Sequence, residues 1–206
     1  KLIHSPVNHN HTPIISSRGC PCKCSFCSIP LFWNGTWRAR TPKNVVDEME
    51  ECVIKYNIRE FHFMDDNLTH SKERTRQLCL EIINRKLNVK WSASTGIRSE
   101  NLDRELLLLM KKSGCIFIAL SPESGSKRLL REEYNKNLDL DHIKEIIRIT
   151  DRVAIRNCAY FVIGSKGETT TDRKETLRYI GNLAKNGLDE AGIFVMMSHP
   201  NTKVSR

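Results

Sequence analysis

The fold is decided by residues 58–95, which read IREFHFMDDNLTHSKERTRQLCLEIINRKLNVKWSAST. Residues 58–64 and 89–95 are rich in β-branched and aromatic side chains, a composition typical of strands. Between them, residues 71–87 place Leu78, Ile82 and Ile83 at helical spacing, which predicts one apolar helix face. A strand, a helix and a second strand in this order predict a βαβ unit with parallel strands and a right-handed crossover.

The same alternation continues on both sides of this unit. The further predicted elements are strands at 14–16, 115–120, 153–163 and 193–197 and helices at 42–56, 102–112, 126–131, 140–150 and 171–185. Six strands, each followed by a helix except the last, predict an α/β fold, a partial (β/α)6 TIM-like barrel of parallel strands. Functional groups in such barrels lie at the C-terminal ends of the strands.

Four cysteines lie in one short loop, residues 16–27, which reads SSRGCPCKCSFC. Cys20, Cys24 and Cys27 match three corners of a [4Fe–4S] cluster and leave one iron open, because such clusters normally have four thiolate ligands. Structural zinc is an alternative, although zinc sites usually combine two Cys-x2–4-Cys halves separated by a spacer. Disulfides are a second alternative, although these spacings are too short for two relaxed bridges.

With its flanking residues, this loop resembles the cluster motif of the radical S-adenosylmethionine (SAM) superfamily. The resemblance implies that the open iron chelates SAM, and that one electron from the cluster cleaves SAM to a 5′-deoxyadenosyl radical. The difficult chemistry then belongs to the cofactors. Cys22 lies where the family usually has an aromatic residue, so we interpret it as a non-ligand. The resemblance also implies a SAM contact from Phe26.

Polar residues follow the second predicted strand, as the barrel rule requires. Asp65, Asp66 and Asn67 come directly after it, and their oxygens are suited to accept hydrogen bonds from the methionine ammonium of SAM. The segment resembles the polar motif with this role in the family, although it lacks the common Gly-Gly-Glu form. Each of these residues has an alternative role, because Asx residues also end strands and cap helices.

Further polar residues follow the third and fourth strands. Ser94 and Arg98 are expected to reach the carboxylate or ribose of SAM, while pairing of Arg98 with Glu100 is the alternative. Glu123 and Ser124 resemble the family's Glu-Ser-Gly segment, which implies a contact to the ribose or a cationic group of SAM. The alternative for Glu123 is a solvated loop glutamate.

The turn after the fifth strand reads YFVIGSKGET, residues 160–169. It resembles the glycine-containing turn at which the family's backbone approaches the adenine of SAM, with Lys166 in place of the usual proline. Gly164 and Gly167 permit positive φ and close approach of a ligand. We therefore expect Gly164 to contact SAM.

Taken together, these motifs look most like the cobalamin-associated (B12-binding) subgroup and its methylthiotransferase-like relatives. That resemblance implies cobalamin bound through a domain that is not in this chain. Trp33, Trp37, Arg38 and Arg40 have two interpretations. They line the barrel mouth and contact cobalamin or substrate, or they clamp the cysteine loop onto the first helix.

Length and composition fit one domain. The 206 residues, 39% of them hydrophobic, are enough for one sizeable core. We expect residues 1–206 to be a radical SAM core, with 1–13 as a lead-in segment, cut from a longer protein. No apolar run reaches membrane-spanning length, and eight cysteines without an export signal favour the cytoplasm. The cysteines expected to pack as core residues are Cys52, Cys79, Cys115 and Cys158.

The expected function is that of a radical SAM enzyme core, with carbon methylation as the leading reaction and methylthiolation of RNA or protein second. A non-catalytic iron–sulfur electron carrier is the alternative from another class, but it has no need of a polar SAM cradle. The expected partners are a small-molecule or peptide substrate and a one-electron donor such as flavodoxin or ferredoxin. A net charge of +9 permits nucleic acid, which is not favoured because the basic residues are scattered.

Overall fold

The computed structural model describes residues 10–205 and contains six parallel strands with flanking helices. The strands are β1 (His11–Ile14), β2 (Ser17–Arg18), β3 (Arg38–Ala39), β4 (Glu60–Phe63), β5 (Lys90–Ile97), β6 (Cys115–Glu123), β7 (Arg156–Ile163) and β8 (Glu190–Val195). The helices are α1 (Ile29–Phe32), α2 (Pro42–Tyr56), α3 (Lys72–Asn84), α4 (Arg104–Lys112), α5 (Lys127–Glu132), α6 (Leu140–Arg152) and α7 (Thr170–Ala184), and a 3-10 turn covers Lys203–Ser205.

The main sheet has the order β1-β4-β5-β6-β7-β8, and every neighbouring pair is parallel. β1 and β8 are its two edges, so the sheet is an open, partial barrel. This confirms the predicted fold class. β2 and β3 form a separate antiparallel ribbon, which together with α1 frames the cysteine loop and was not predicted from the sequence.

The core lies between the sheet and the helices. α2 buries Val45, Val46 and Met49 against the sheet, where Phe61 and Trp91 are 0% and 1% exposed. Each large apolar side chain buried in this way contributes about 1.5–3 kcal/mol to folding. Three of the cysteines expected to pack are fully buried and Cys52 is half-buried; the buried ones are Cys79, Cys115 and Cys158. None of the helices within residues 10–205 is long and apolar enough to cross a bilayer.

The ends of several strands differ from the prediction. β7 begins at Arg156 rather than at 153, because Val153 caps the end of α6 and Ala154 turns the chain with φ +56°. β8 begins at Glu190, which pairs with Cys158, rather than at 193. The prediction began later because Gly192 interrupts the strand pattern in the sequence. β5 and β6 run beyond their predicted ends at 95 and 120 through register shifts.

The first strand also begins earlier than expected. His11–Ile14 pairs in register with Glu60–Phe63 of β4, so part of the expected lead-in segment belongs to the sheet. The remainder of that segment, residues 1–9, lies outside the described residues.

Candidate functional site

The cysteine loop follows β2 at the C-terminal end of the sheet. Its four thiols are half-buried and free, so none of them is in a disulfide. The middle of the loop is fastened to the segment after α5, where the Ser25 backbone N–H donates to the Tyr134 carbonyl at 3.0 Å. Phe26 packs edge-on against the Tyr134 ring, with 5.3 Å between the ring centroids. These contacts hold the loop over the end of the barrel.

An amide and a guanidinium donate to two of the three thiols that are expected to bind the cluster. Asn67 Nδ2 lies 3.5 Å from Cys20 Sγ, and Arg98 Nη1 lies 3.6 Å from Cys24 Sγ. The positive charges of Arg98 and Lys136 act on Cys24, although burial raises the pKa of this thiol more strongly. Donors aimed at sulfur suit thiolates, because a thiolate accepts hydrogen bonds and is stabilised by nearby positive charge.

Across residues 10–205 there is no group of three or more Cys, His, Asp or Glu side chains that could hold one metal ion. In a [4Fe–4S] cluster each thiolate binds a different iron, so the cluster does not require its thiols to converge on one ion. Three cysteine thiols in one loop are donors of the type that such a cluster uses.

The four thiols differ in how firmly they hold their protons. A hydrogen bond from Cys22 lowers the pKa of Cys20 and raises that of Cys22. Burial raises the pKa of Cys27. The hydrogen bond between these two thiols therefore favours the thiolate at Cys20. That Cys22 is a non-ligand stays a prediction.

The polar segment after β4 turns towards the cysteine loop. Asp65 is buried and accepts from the Ser16 N–H at 2.8 Å, from Ser16 Oγ at 2.6 Å and from Ser17 Oγ. Both of its oxygens are therefore occupied by the chain. Contrary to the expectation of a SAM contact, Asp65 holds the turn between β1 and β2.

Asp66 and Asn67 lie nearer to the cysteines. Asp66 Oδ2 accepts from the Gly19 N–H at 2.7 Å, which fixes the residue before Cys20. Asn67 donates to Cys20, but its Oδ1 is buried and has no hydrogen-bond partner among the described residues. A buried acceptor without a donor costs about 1–3 kcal/mol, so Asn67 Oδ1 is suited to a ligand that brings a donor.

Ser94 and Thr95 lie in the last part of β5, and Arg98 follows the strand; Ser94 and Arg98 are half-buried and Thr95 is exposed. Arg98 pairs with Glu100, as the alternative interpretation predicted, and reaches Cys24 with its other nitrogen. The carbonyl of Ser94 accepts from the Tyr160 hydroxyl at 3.0 Å. Thr95 Oγ1 donates to the Asp65 carbonyl at 2.9 Å, which links this segment to the one after β4.

The polar segment after β6 turns into the protein. Glu123 has φ +64° and pairs with Lys136 Nζ at 2.7 Å, and the two side chains are only 10% and 4% exposed. Ser124 is 0% exposed and shares a hydrogen bond with Thr176 Oγ1 at 2.9 Å. The predicted SAM contact from the Ser124 hydroxyl therefore does not fit this arrangement. Lys136 was not predicted, because nothing in the sequence marks a lysine after α5 as buried.

In the turn after β7, Gly164 adopts the positive φ that the sequence permits at both glycines, and Gly167 does not. Gly164 has φ +83°, a conformation that L side chains rarely adopt, and its N–H donates to Glu168 Oε2 at 2.6 Å. An apolar cleft of about 740 Å³ lies between this end of the sheet and the cysteine loop. Its lining residues are Phe26, Cys27, Ser28, Ile29, Val162, Phe194, Val195, Met196, Met197 and His199. A volume of this size suits a ligand as large as a nucleoside, since small-molecule sites span roughly 300–1,000 Å³.

Arg74 on α3 is a second buried cation that the sequence did not indicate. Its Nη2 donates to the Ser16 carbonyl at 2.8 Å and its Nε to the Arg40 carbonyl at 3.1 Å. Trp37 lies beneath this guanidinium, and its Nε1 donates to the Asn67 carbonyl at 3.2 Å. Arg40 in turn donates to the Ile15 carbonyl. Arg40 also bonds to Asn44 and Glu48 of α2, which favours the clamping interpretation for Arg40, whereas Trp37 contacts α3 and the segment after β4.

Solved structures with the same fold include two cobalamin enzymes. TsrM from Kitasatospora setae, a radical SAM methyltransferase with cobalamin and a [4Fe–4S] cluster bound, superposes with a TM-score of 0.83 over 93% of this chain and 35% of TsrM, at 19% identity. The cobalamin-dependent SAM radical enzyme OxsB superposes with a TM-score of 0.75 over 94% of this chain and 34% of OxsB, at 16% identity. At these identities the likeness establishes the fold.

Curated relatives share more of the sequence. The anaerobic magnesium-protoporphyrin IX monomethyl ester cyclase of Cereibacter sphaeroides is 35% identical over 79% of this chain and 26% of its own length. Cytidylyl-2-hydroxyethylphosphonate methyltransferase of Streptomyces wedmorensis is 32% identical over 73% of this chain and 28% of its length. The chain thus spans little more than a quarter of these relatives. The radical SAM superfamily profile matches residues 14–180, and the chain belongs to that superfamily.

Proposed function

We propose that this chain is the core of a radical SAM methyltransferase that holds a [4Fe–4S] cluster through Cys20, Cys24 and Cys27. The superfamily uses this cluster and SAM. When bound, they would supply the electron and the radical that activate the substrate. The observation that carries the proposal is Asn67, whose amide donates to Cys20 and leaves a buried oxygen without a donor beside it.

The proposed roles of the site residues follow from their contacts. Asn67 Oδ1 accepts from the ammonium of SAM, and Asp66 keeps the loop in place through Gly19. Arg98, whose charge already lies beside Cys24, binds the SAM carboxylate. The apolar cleft takes the adenine, and the backbone at Gly164 approaches it. Asp65 and Ser124 are left out, because their polar atoms bond to Ser16, Ser17 and Thr176. Glu123 is left out because its Oε1 pairs with the buried Lys136 ammonium.

Methyl transfer to carbon is supported by what the relatives do. One of them is named as a methyltransferase, and TsrM, with which this chain shares its fold, binds cobalamin. Cobalamin would have to be held by parts of the protein beyond this chain. A cyclase is also among the relatives, so radical chemistry related to methylation belongs to the same proposal.

Methylthiolation is the second candidate. The tRNA-2-methylthio-N(6)-dimethylallyladenosine synthase of Chloroherpeton thalassium is 26% identical over 96% of this chain. Its identity is lower than that of the cyclase and methyltransferase relatives, which favour the first candidate. For the whole protein we propose a small-molecule or peptide substrate, a one-electron donor of the flavodoxin or ferredoxin type, and a cytoplasmic location.

Anaerobic reconstitution tests the cluster. The protein should take up about four iron and four sulfide, since three thiolates can anchor one cubane. Replacing Cys20, Cys24 or Cys27 with alanine should abolish this loading. The matched control is Cys22→Ala, which removes a thiol from the same loop and should load normally. Loss of the cluster in the control would overturn the ligand assignment.

A second measurement tests the chemistry. SAM added to the reduced protein should change the electron paramagnetic resonance spectrum of the cluster, because SAM binds the open iron. Dithionite should then yield 5′-deoxyadenosine. A fully loaded protein whose spectrum ignores SAM would instead be an electron carrier.

A further inference from the structure

The β2–β3 ribbon places two arginines directly opposite each other. Arg18 of β2 pairs in register with Arg38 of β3, and both residues are exposed. Opposed residues in an antiparallel pair project from the same face, with Cβ atoms about 4.5–5.5 Å apart, and like charges in these positions repel. Within residues 10–205, neither guanidinium is in an ion pair. The ribbon therefore carries a local concentration of positive charge that the protein itself does not neutralise.

These two residues line an open cavity of about 610 Å³ beside the edge strand β1, together with Arg40 and Glu48. The one acidic residue there, Glu48, already pairs with Arg40. Arg40 is held further by its hydrogen bonds to Asn44. Once this pair is set aside, the positive charges of Arg18 and Arg38 remain unbalanced.

One of the two guanidinium groups is already held in place. The Arg38 guanidinium lies over the Trp33 ring, 5.4 Å from its centroid, which limits its freedom before any ligand arrives. A guanidinium presents paired N–H donors that match two oxygens of a phosphate. Two such groups on one face of the ribbon suit a tetrahedral dianion better than a singly charged carboxylate.

From this arrangement we propose that Arg18 and Arg38 form a binding site for a phosphoryl group. The ligand is not SAM, which contains no phosphate, and the cavity lies on the β1 side of the molecule, apart from the apolar cleft beside β8. The phosphoryl group is either a free phosphate ion or the phosphomonoester end of a larger molecule. Both present the same oxygens to the two arginines.

Isothermal titration calorimetry of the reconstituted protein with inorganic phosphate and with methyl phosphate, at low ionic strength, tests the site. Arg18→Gln and Arg38→Gln should each weaken phosphate binding about ten- to a hundredfold, because each removes charge-assisted hydrogen bonds. The matched control is Arg131→Gln, which removes the same charge from a 75% exposed side chain on α5 and should leave the affinity unchanged. Binding of both ligands indicates a phosphomonoester, and binding of inorganic phosphate alone indicates the free ion.

The proposal is overturned if the parent protein binds neither ligand, or if Arg131→Gln weakens binding as much as the ribbon variants. Arg18 lies close to Cys20, so iron content and circular dichroism are measured for each variant. If Arg18→Gln fails to load its cluster, Arg38→Gln alone decides the outcome, since β3 lies outside the cysteine loop.

Discussion

The polar segments at the ends of β4 and β6 both begin with an acidic residue but have different roles in the structure. Residues 65–67 come after β4 and turn towards the cysteine loop, whereas residues 123–126 begin with Glu123, the last residue of β6, and turn into the protein. The first segment keeps one buried oxygen, Asn67 Oδ1, without a partner among the described residues. In the second segment, Glu123 Oε1 accepts from the buried Lys136 ammonium.

The difference shows how a strand end becomes a ligand site. A polar side chain at the C-terminal end of a barrel strand is available to a cofactor only while the protein leaves part of its hydrogen-bonding capacity unused. Position on the barrel rim is shared by both segments, so position alone does not separate them. The neighbouring helices and loops decide, because they either supply partners or withhold them.

The largest expected effect on stability comes from removing the Glu123 carboxylate at the end of β6. Glu123→Ala leaves the Lys136 ammonium, 4% exposed, without its counter-charge, so the free energy of unfolding should fall by about 3–5 kcal/mol. Urea denaturation measures this change. The double variant Glu123→Leu with Lys136→Met should recover most of it, since no buried charge is then left alone. If Glu123→Ala retained its stability but lost SAM affinity, Glu123 would return to the SAM site.

Asp65→Ala should have the next largest effect. It leaves the buried Ser16 N–H without an acceptor and frees two serine hydroxyls, which should cost about 2–3 kcal/mol of stability. Because Asp65 also fixes the turn before the cysteine loop, iron loading should fall too. Asp65→Asn is the control, since it keeps one carbonyl acceptor and should lie between the parent and Asp65→Ala. Normal stability and iron content in Asp65→Ala would refute this anchoring role.

Asp172 fastens the segment after β6 to α7. It accepts from Ser126 Oγ at 2.6 Å and caps the helix with Thr169, and the Arg128 guanidinium beside it lowers the pKa of its carboxyl well below the usual range. Asp172→Asn should cost about 2 kcal/mol at neutral pH, the size of a lost cap with a charged hydrogen bond.

The pH dependence tests the charge of Asp172 directly. Since the folded pKa is lowered, the stabilisation is complete above the unfolded value of about 3.9 and disappears as the pH falls through the folded pKa. The difference in unfolding free energy between parent and Asp172→Asn should therefore be constant from pH 7 to about 5 and shrink below pH 4. A difference that is constant down to pH 3 would mean that packing, not charge, holds this segment.

Much of the fold could be predicted from the sequence, and the cysteine spacing could be read from it directly. Strand and helix periods predicted six parallel strands, because hydrophobic patterning is a local property of the chain. The burial of the two cations, Arg74 and Lys136, could not be predicted from the sequence. Arg74 bonds to the carbonyl of Ser16, 58 positions away, and Lys136 bonds to Glu123 across a helix. Burial of a lysine or arginine depends on such distant partners, and its own neighbours in the sequence look like those of any solvated residue.

The same reason applies to the residues expected to contact SAM. The motif match placed Asn67 and Glu123 on the rim together, and both lie at the C-terminal ends of strands. How many of their acceptors the protein uses depends on side chains such as Lys136, which the sequence does not assign to either segment. The hydrogen bonds of the folded chain make that assignment.

The smallest expected effect is also the most specific to the segment after β4. Asn67→Ala removes an oxygen that has no partner among the described residues and one long hydrogen bond to Cys20 Sγ, so the stability of the cofactor-free chain should stay within about 1 kcal/mol of the parent. SAM affinity of the reconstituted protein should fall about tenfold, because a hydrogen bond to the SAM ammonium is lost.

Asn101 is the matched control, since its amide already donates to the carbonyls of Thr69 and His70. Asn101→Ala should lower stability by about 1–2 kcal/mol and leave SAM affinity unchanged. Equilibrium dialysis with SAM and urea denaturation on both variants separate the two roles. If Asn67→Ala behaves like Asn101→Ala, the two polar segments do not differ in function, and residues 65–67 are structural as well.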